Sequence, residues 1–282
     1  MKVLVFGQTG QVAQALARSV PEGVTARFLA RDMADLMHPM SCANAVQNCD
    51  LVINAAAWTA VDLAETQEAD AHIVNAASPS AIARVCAALG VPMIHMSTDY
   101  VFDGAGDTPF SPDHPTAPLG AYGRSKLAGE MALRGSGARH VILRTSWVFS
   151  AHGSNFLRTM LRLGGARESI NVVADQIGGP TPASAIAKAI WQISAALIKG
   201  HAGGTYHFAG TPDVSWADFA RAIMQAANLP CTIADIPTSA YPTPARRPAN
   251  SRLDCSTLLH DFAIARPDWR APLPALIKEI TL

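Results

Sequence analysis

Long apolar runs, blocks of like charge and paired cysteines are all missing from this sequence, and each absence narrows the reading. No uninterrupted apolar stretch approaches the roughly 18–20 residues that a membrane-spanning helix needs, although the mean hydropathy is slightly positive. The opening run Met1-Lys2-Val3-Leu4-Val5-Phe6 stops at Gly7, too soon for a secretory leader or a span, so a soluble protein with no membrane partner is expected. Lys and Arg total 22, Asp and Glu total 22, and no block of one sign occurs. The basic surface that a nucleic-acid backbone selects is therefore absent, and no such partner is expected. The five cysteines, Cys42, Cys49, Cys86, Cys231 and Cys255, are odd in number and scattered without a Cys-x-x-Cys pair. That excludes a disulfide framework and a thiolate zinc site, and it points to a reducing cytoplasm and no metal. Internal repeats, heptads and low-complexity tracts are also lacking.

What is present is an alternation of short apolar strands and amphipathic helices across 282 residues, enough for a nucleotide-binding domain with a smaller companion. Val3 to Phe6 has the pattern of a buried strand and runs straight into Gly7-Gln8-Thr9-Gly10-Gln11-Val12-Ala13, after which helical spacing begins. Gly7 and Gly10 allow close approach of a pyrophosphate, and the amides at the helix start would face it. The spacing is G-x-x-G-x-x-A rather than the G-x-G-x-x-G of the dehydrogenase fingerprint. Val24 to Ala30 is read as the second strand, ending at Arg31-Asp32. An arginine there accommodates the 2′-phosphate of NADPH, while the adjacent Asp32 leaves NADH possible. Asp35 and Leu36 follow in a loop near the adenine, with a helix cap as the other role for Asp35.

Leu51 to Ala57 reads as the third strand and Pro92 to Met96 as the fourth, with Ser97-Thr98-Asp99 at its carboxyl end, where open parallel sheets bind ligands. Between them a long helix is expected through Ala77, with His72 and Asn75 on its face, and Pro79 opening the next helix. His95 is read as packed within the sheet. Tyr122 and Lys126 are four apart on a helix that precedes the fifth strand, His140 to Thr145. An ammonium beside a phenol favours its ionised form, and Thr98 would hold a substrate oxygen against it. Later in the chain Asn155 opens a helix, either as its cap or as an amide donor to a diphosphate. Helices are expected over about 183–199 and 216–228, with Trp191 and Trp216 in packing roles. Arg246-Arg247 lies between prolines and could present a guanidinium fork to substrate phosphates.

Taken together, Gly7-Gln8-Thr9-Gly10-Gln11-Val12, Asn54-Ala55-Ala56-Ala57, Ser97-Thr98-Asp99-Tyr100-Val101-Phe102, Tyr122 with Lys126, and Arg144-Thr145-Ser146-Trp147-Val148-Phe149 resemble the dTDP-4-dehydrorhamnose reductase family of the short-chain dehydrogenase/reductase superfamily. So do Asp175-Gln176, Gly179-Pro180-Thr181, Tyr241 to Pro248 and Asn250 to Leu253, so the similarity runs nearly end to end. The resemblance implies an α/β fold: a Rossmann-type doubly wound parallel sheet with a smaller C-terminal α/β substrate lobe. Residues 1–146 would form the dinucleotide domain, completed by about 183–210, with 147–182 and 211–282 in the substrate lobe. It also implies NADPH-dependent reduction of a dTDP-4-ketosugar, with Tyr122 as proton donor, Lys126 on the nicotinamide ribose and Thr98 on the carbonyl. Gly10, Gln11 and Val12 would meet the pyrophosphate, Asp35 and Leu36 the adenosine, and Ala57, Trp58 and Thr59 the middle of the cofactor. Asp99, Tyr100 and Trp147 would shape the sugar pocket.

Two further readings follow from the resemblance. Nucleotide-sugar 4,6-dehydratases resemble Thr-Asp-Glu where this chain has Thr98-Asp99-Tyr100, so the base for water elimination is missing. Some reductases of the family dimerise through a carboxylate-bound metal, and one of those carboxylates falls at Ala15, so a monomer or weak homodimer is expected. The alternatives are a related 4-ketosugar reductase and a non-catalytic cofactor-binding subunit like the beta subunit of methionine adenosyltransferase. The complete set of Thr98, Tyr122 and Lys126 disfavours the latter, because a scaffold needs no proton donor.

Overall fold

In the computed structural model, which describes residues 1–281, the chain first builds strand β1 (Lys2–Phe6), helix α1 (Gln11–Arg18) and strand β2 (Thr25–Leu29). Helix α2 (Pro39–Asn44), with proline in its first turn, leads to β3 (Leu51–Asn54), whose four residues are all buried. That strand stops three residues earlier than its apolar run suggests. Asn54 turns its side chain back to accept from the Ala56 amide, so the ladder to β1 ends with the Ala55 N–H on the Phe6 carbonyl and Ala56–Ala57 leave the sheet.

Next come α3 (Val61–Ala64) and α4 (Glu68–His72), a wide π turn at Ile73–Ala77, and α5 (Ser78–Leu89), closed by Gly90 in the left-handed conformation. Pro79 does not open a separate helix, as its position suggests, but sits inside a rod that runs on from the π turn. A proline has no N–H and its ring crowds the carbonyl four residues back, here that of Asn75. The π turn at Ile73–Ala77 spans that carbonyl and widens the helix where the ring needs room.

Strand β4 (Met93–Thr98), helix α6 (Ala121–Arg134) and strand β5 (His140–Thr145) complete the first half. The chain then leaves the sheet through β6 (Val148–Phe149), α7 (Phe156–Gly164), β7 (Ser169–Val173), β8 (Ile177–Gly178) and β9 (Thr181–Pro182). It returns with α8 (Ala183–Ile198) and β10 (Gly203–His207), and departs again through β11 (Val214–Ser215), α9 (Trp216–Ala226), β12 (Thr232–Ile236) and β13 (Asn250–Ser251). Two helices, α10 (Ser256–Phe262) and α11 (Leu273–Thr281), end the described chain.

The central sheet has the order β10-β5-β4-β3-β1-β2, and every pairing is parallel. The order reverses beside β1, which opens a crevice at the carboxyl ends of β1 and its neighbours. One face packs against α1 and α8 through Leu16, Ile186 and Ile190, the other against α2 and α5 through Cys42, Ile82 and Cys86. A separate core around Phe149, Leu157, Phe219 and Trp269 holds the smaller lobe together. Leu258, Phe262 and Ile264 join the sheet core instead, so α10 belongs with the nucleotide domain although the expectation placed 211–282 wholly in the substrate lobe. Among the described residues no helix is long and apolar enough to cross a membrane, and no cluster of metal-ligating side chains occurs.

Candidate active site

A cavity of about 500 Å³ lies along the carboxyl edge of the sheet. At one end is the turn between β1 and α1. Gly7 has φ +108°, and a β-carbon there would come within 3.3 Å of the Ala55 carbonyl carbon and the Ala56 amide nitrogen, so the position accepts only glycine without strain. The first amides of α1 have no carbonyl partner within the helix and open onto the same space. Gly7, Gly10, Gln11 and Val12 all line the cavity, as do Arg31, Asp35 and Leu36 at its outer end and Ala57 and Thr59 at its middle. A glycine cradle, free helix-start amides and an exposed arginine together fit a phosphorylated dinucleotide.

Trp58 is the exception among the expected cofactor residues. Its indole N–H donates to the Ala60 carbonyl, it does not line the cavity, and its backbone is held from behind by Asn75. The Asn75 amide donates to the Trp58 carbonyl at 3.1 Å and to the Ser125 hydroxyl at 2.9 Å, and its oxygen accepts from the Trp58 N–H at 2.9 Å. Asn75 is thus a brace between the Ala57–Thr59 segment and α6, on the helix as expected but with its face turned inward and buried. Its one trace in the sequence is its place four residues ahead of Pro79, which by itself does not say which way the side chain turns.

At the other end of the cavity α6 delivers Tyr122 and Lys126, both buried and both lining it. The Tyr122 phenol faces the Thr98 hydroxyl at the end of β4, and its ring lies edge-on to Tyr100 with centroids 5.5 Å apart. The Thr98 hydroxyl donates to Asp99 at 3.0 Å and accepts from the Tyr100 N–H at 3.2 Å. Burial pushes the Tyr122 phenol up, even though the Thr98 hydroxyl acts against the shift. The expectation of an acidified phenol is therefore corrected. Lys126 donates to the Met96 carbonyl at 2.7 Å, and its own burial lowers it to about 8 while Glu130 one turn on acts to raise it. The Lys126 ammonium is engaged by the Met96 carbonyl rather than by the phenol, and desolvation holds the phenol protonated.

Behind these side chains lies an ion network that the motifs did not reveal. Glu130 and Arg144 are 0% and 1% exposed and form a two-pronged pair at 2.7 and 2.8 Å. The Ser97 hydroxyl donates to the same carboxylate at 2.5 Å, and Arg134 reaches it at 2.9 Å. Glu130 follows Lys126 by four residues on one helix face, which is the trace it leaves in the sequence. His95, buried in β4, accepts on Nδ1 from the Asn54 amide at 3.1 Å and is held well below the usual imidazole range by burial.

The expected substrate residues divide into two groups. Asp99 is buried beside Thr98 and Ser251, and burial raises its carboxyl to about 6. Tyr100 abuts both Tyr122 and Arg247. Trp147, with φ +50°, stacks on Trp216 at 3.6 Å and covers Gly178. Asn155, by contrast, caps α7 and donates its amide to Gln11, Ser150 and His152, which leaves no donor for a diphosphate. Arg246 points into solvent, whereas Arg247 is drawn inward by Asp62 at 2.7 Å, so the arginine pair splits its roles.

Comparison with known proteins places this arrangement. The family model described as "RmlD substrate binding domain" matches residues 1–282. A dTDP-4-dehydrorhamnose reductase of Burkholderia thailandensis is 44% identical, with 99% of each chain covered. The chain belongs to the dTDP-4-dehydrorhamnose reductase family. Among solved structures of that family, a Clostridium acetobutylicum reductase superposes with a TM-score of 0.94 at 29% identity over 100% of both chains. The Bacillus anthracis reductase, solved in complex with NADP, gives 0.91 at 32% identity over 99% of both.

Proposed function

We propose that this chain reduces the C4 ketone of dTDP-4-dehydro-L-rhamnose to give dTDP-L-rhamnose. The observation that carries the reading is the buried phenol of Tyr122 against the Thr98 hydroxyl, at one end of a cavity whose other end is the glycine cradle. NADPH, when bound, supplies the hydride to C4. Gly7, Gly10, Gln11 and Val12 receive its pyrophosphate, Arg31 its 2′-phosphate, and Asp35 and Leu36 its adenosine. Ala57 and Thr59 border its middle, and Lys126 its nicotinamide ribose. NADH is the weaker alternative, because Arg31 lines the cavity and Asp32 does not.

Thr98 holds the ketone oxygen and Tyr122 gives it a proton. A phenol raised by burial is fully protonated at neutral pH, the form a reductive step requires. When the proton leaves, the phenolate is stabilised by the Lys126 ammonium, which is charged below about pH 8. Asp99, Tyr100 and Trp147 bound the sugar, and Arg247, braced by Asp62, stands where Arg246 was expected. The C-terminal segments, apart from α10, serve the substrate, and the protein works in the cytoplasm as a monomer or weak homodimer. Position 100 carries a tyrosine, so the site has no carboxylate there to drive elimination.

The test is a coupled assay in which dTDP-glucose is taken through the dehydratase and epimerase steps, with NADPH and NADH supplied in parallel. Oxidation of NADPH with formation of dTDP-rhamnose is expected, and Tyr122→Phe lowers kcat at least about 100-fold, the loss of a positioned acid. Unchanged turnover in that variant refutes the role given to Tyr122.

A further inference from the structure

Between β6 and α7, residues Ser150 to Asn155 cross from the nucleotide domain into the smaller lobe, and Gly153 and Ser154 form part of the cavity wall opposite the glycine turn. This crossing is tied to the glycine turn by one side chain. Gln11 accepts the Ser150 hydroxyl and the Asn155 amide on its oxygen, both at 2.9 Å, and donates to the Val148 carbonyl at 3.4 Å. Gly153, at φ +68°, lies directly on it: a β-carbon there would sit 3.4 Å from Gln11 Cγ.

Asn155 closes the ring from the other side. Its amide also reaches the carbonyls of Ser150 and His152 at 2.9 and 3.1 Å, while its oxygen accepts from the Arg158 N–H and so caps α7. On the outer surface the Glu279 carboxylate of α11 lies 2.9 Å from both His152 and Arg18, the latter on α1. The loop is therefore held to α1 from inside and from outside, with the cavity beneath its tip.

We propose that Ser150–Asn155 is a strap across the cofactor diphosphate, and that Asn155 is a positioning residue that keeps it closed through Gln11. The idea rests on the cofactor reading given above. Residue 155 does not line the cavity, yet its amide joins two carbonyls of the strap to the Gln11 side chain, a link the Ser150 hydroxyl supplements. Removing the amide frees the strap tip while every side chain on the cavity wall, Gln11 included, is retained. The strap also couples cofactor occupancy to the smaller lobe, because the same asparagine starts the helix that opens that lobe.

Asn155→Ser separates the two jobs of the residue, since serine caps a helix about as well as asparagine but carries no amide. With the full chain, NADPH binding is followed by fluorescence titration and stopped flow, and strap protection by hydrogen exchange at residues 151–154. The variant is expected to bind NADPH at least about 5-fold more weakly through faster release, and to exchange faster at 151–154, with an unchanged melting temperature. Ser150→Ala, which keeps the cap intact, moves both readouts the same way by about two- to threefold and serves if Asn155→Ser folds poorly. Wild-type affinity together with wild-type exchange in these variants overturns the strap. Failure of the wild-type chain to bind NADPH overturns instead the cofactor reading beneath it.

Discussion

Asp99 is 4% exposed, and its carboxyl is raised by burial to about 6 against the opposing pull of the Ser251 and Thr98 hydroxyls. A carboxyl whose folded value lies above its unfolded one favours the fold while protonated in both states, at or below about pH 4. That contribution is lost as pH rises through 6. At neutral pH the ionised group therefore costs on the order of 3 kcal/mol of stability. Asp99→Asn is expected to unfold at higher denaturant than wild type at pH 7.5, with the difference closing towards pH 4. Equal midpoints at pH 7.5 would show that the carboxylate is better solvated than its burial implies. Thr98, Tyr122, Lys126 and the glycines were legible from residue type and spacing, because their chemistry has few substitutes. The roles of Asn75 and Glu130 were not, since amides and carboxylates on helices have many solvated precedents, and only their tertiary partners show that they are buried.

Helix α6 carries two glycines where packing, not conformational freedom, is the reason. A β-carbon at Gly123 would lie 2.2 Å from the Tyr100 carbonyl oxygen, and one at Gly129 would lie 2.1 Å from the Asn75 carbonyl oxygen. The second contact falls at the π turn, where the widened helix meets the groove Gly129 leaves. Alanine normally favours a helix by about 1 kcal/mol over glycine, so a pure propensity argument predicts that Gly129→Ala stabilises. Backbone overlap reverses the sign. We expect Gly129→Ala to lower stability by about 2 kcal/mol or more, measured by chemical denaturation, and to reduce turnover by moving Tyr122 and Lys126. Most elements were readable from period and punctuation, including β1, β5, α6, α7 and α8. Those misread, the end of β3 and the start of α5, depend on a side chain turning back on its own strand and on a helix widening where proline needs room. Neither event alters hydrophobic periodicity.

Across the whole molecule side-chain hydrogen bonds tie the two lobes together, and Asp62 makes two of them. It accepts from the Ala245 N–H at 3.1 Å and from Arg247 at 2.7 Å, fixing the 241–248 segment beside Tyr100. The pair is partly exposed, so its direct worth is about 1 kcal/mol or less. Arg247→Ala should therefore leave the melting temperature nearly intact while raising KM for the nucleotide sugar several-fold and sparing NADPH affinity. A parallel loss of cofactor binding would show that the segment serves both ligands. The return of α10 to the sheet was invisible in the sequence for a related reason. Its apolar face reads alike whichever lobe it covers, and only the path of the chain decides.

The Glu130–Arg144 pair lies under α6, β4 and β5, with neither side chain more than 1% exposed. Dissolved ions screen charges on a surface within about 10 Å at 0.1 M salt, but they barely weaken a pair from which water is excluded. The orientation of α6 is thereby shielded from changes in ionic strength, whereas the exposed Arg31 at the rim of the cavity is not.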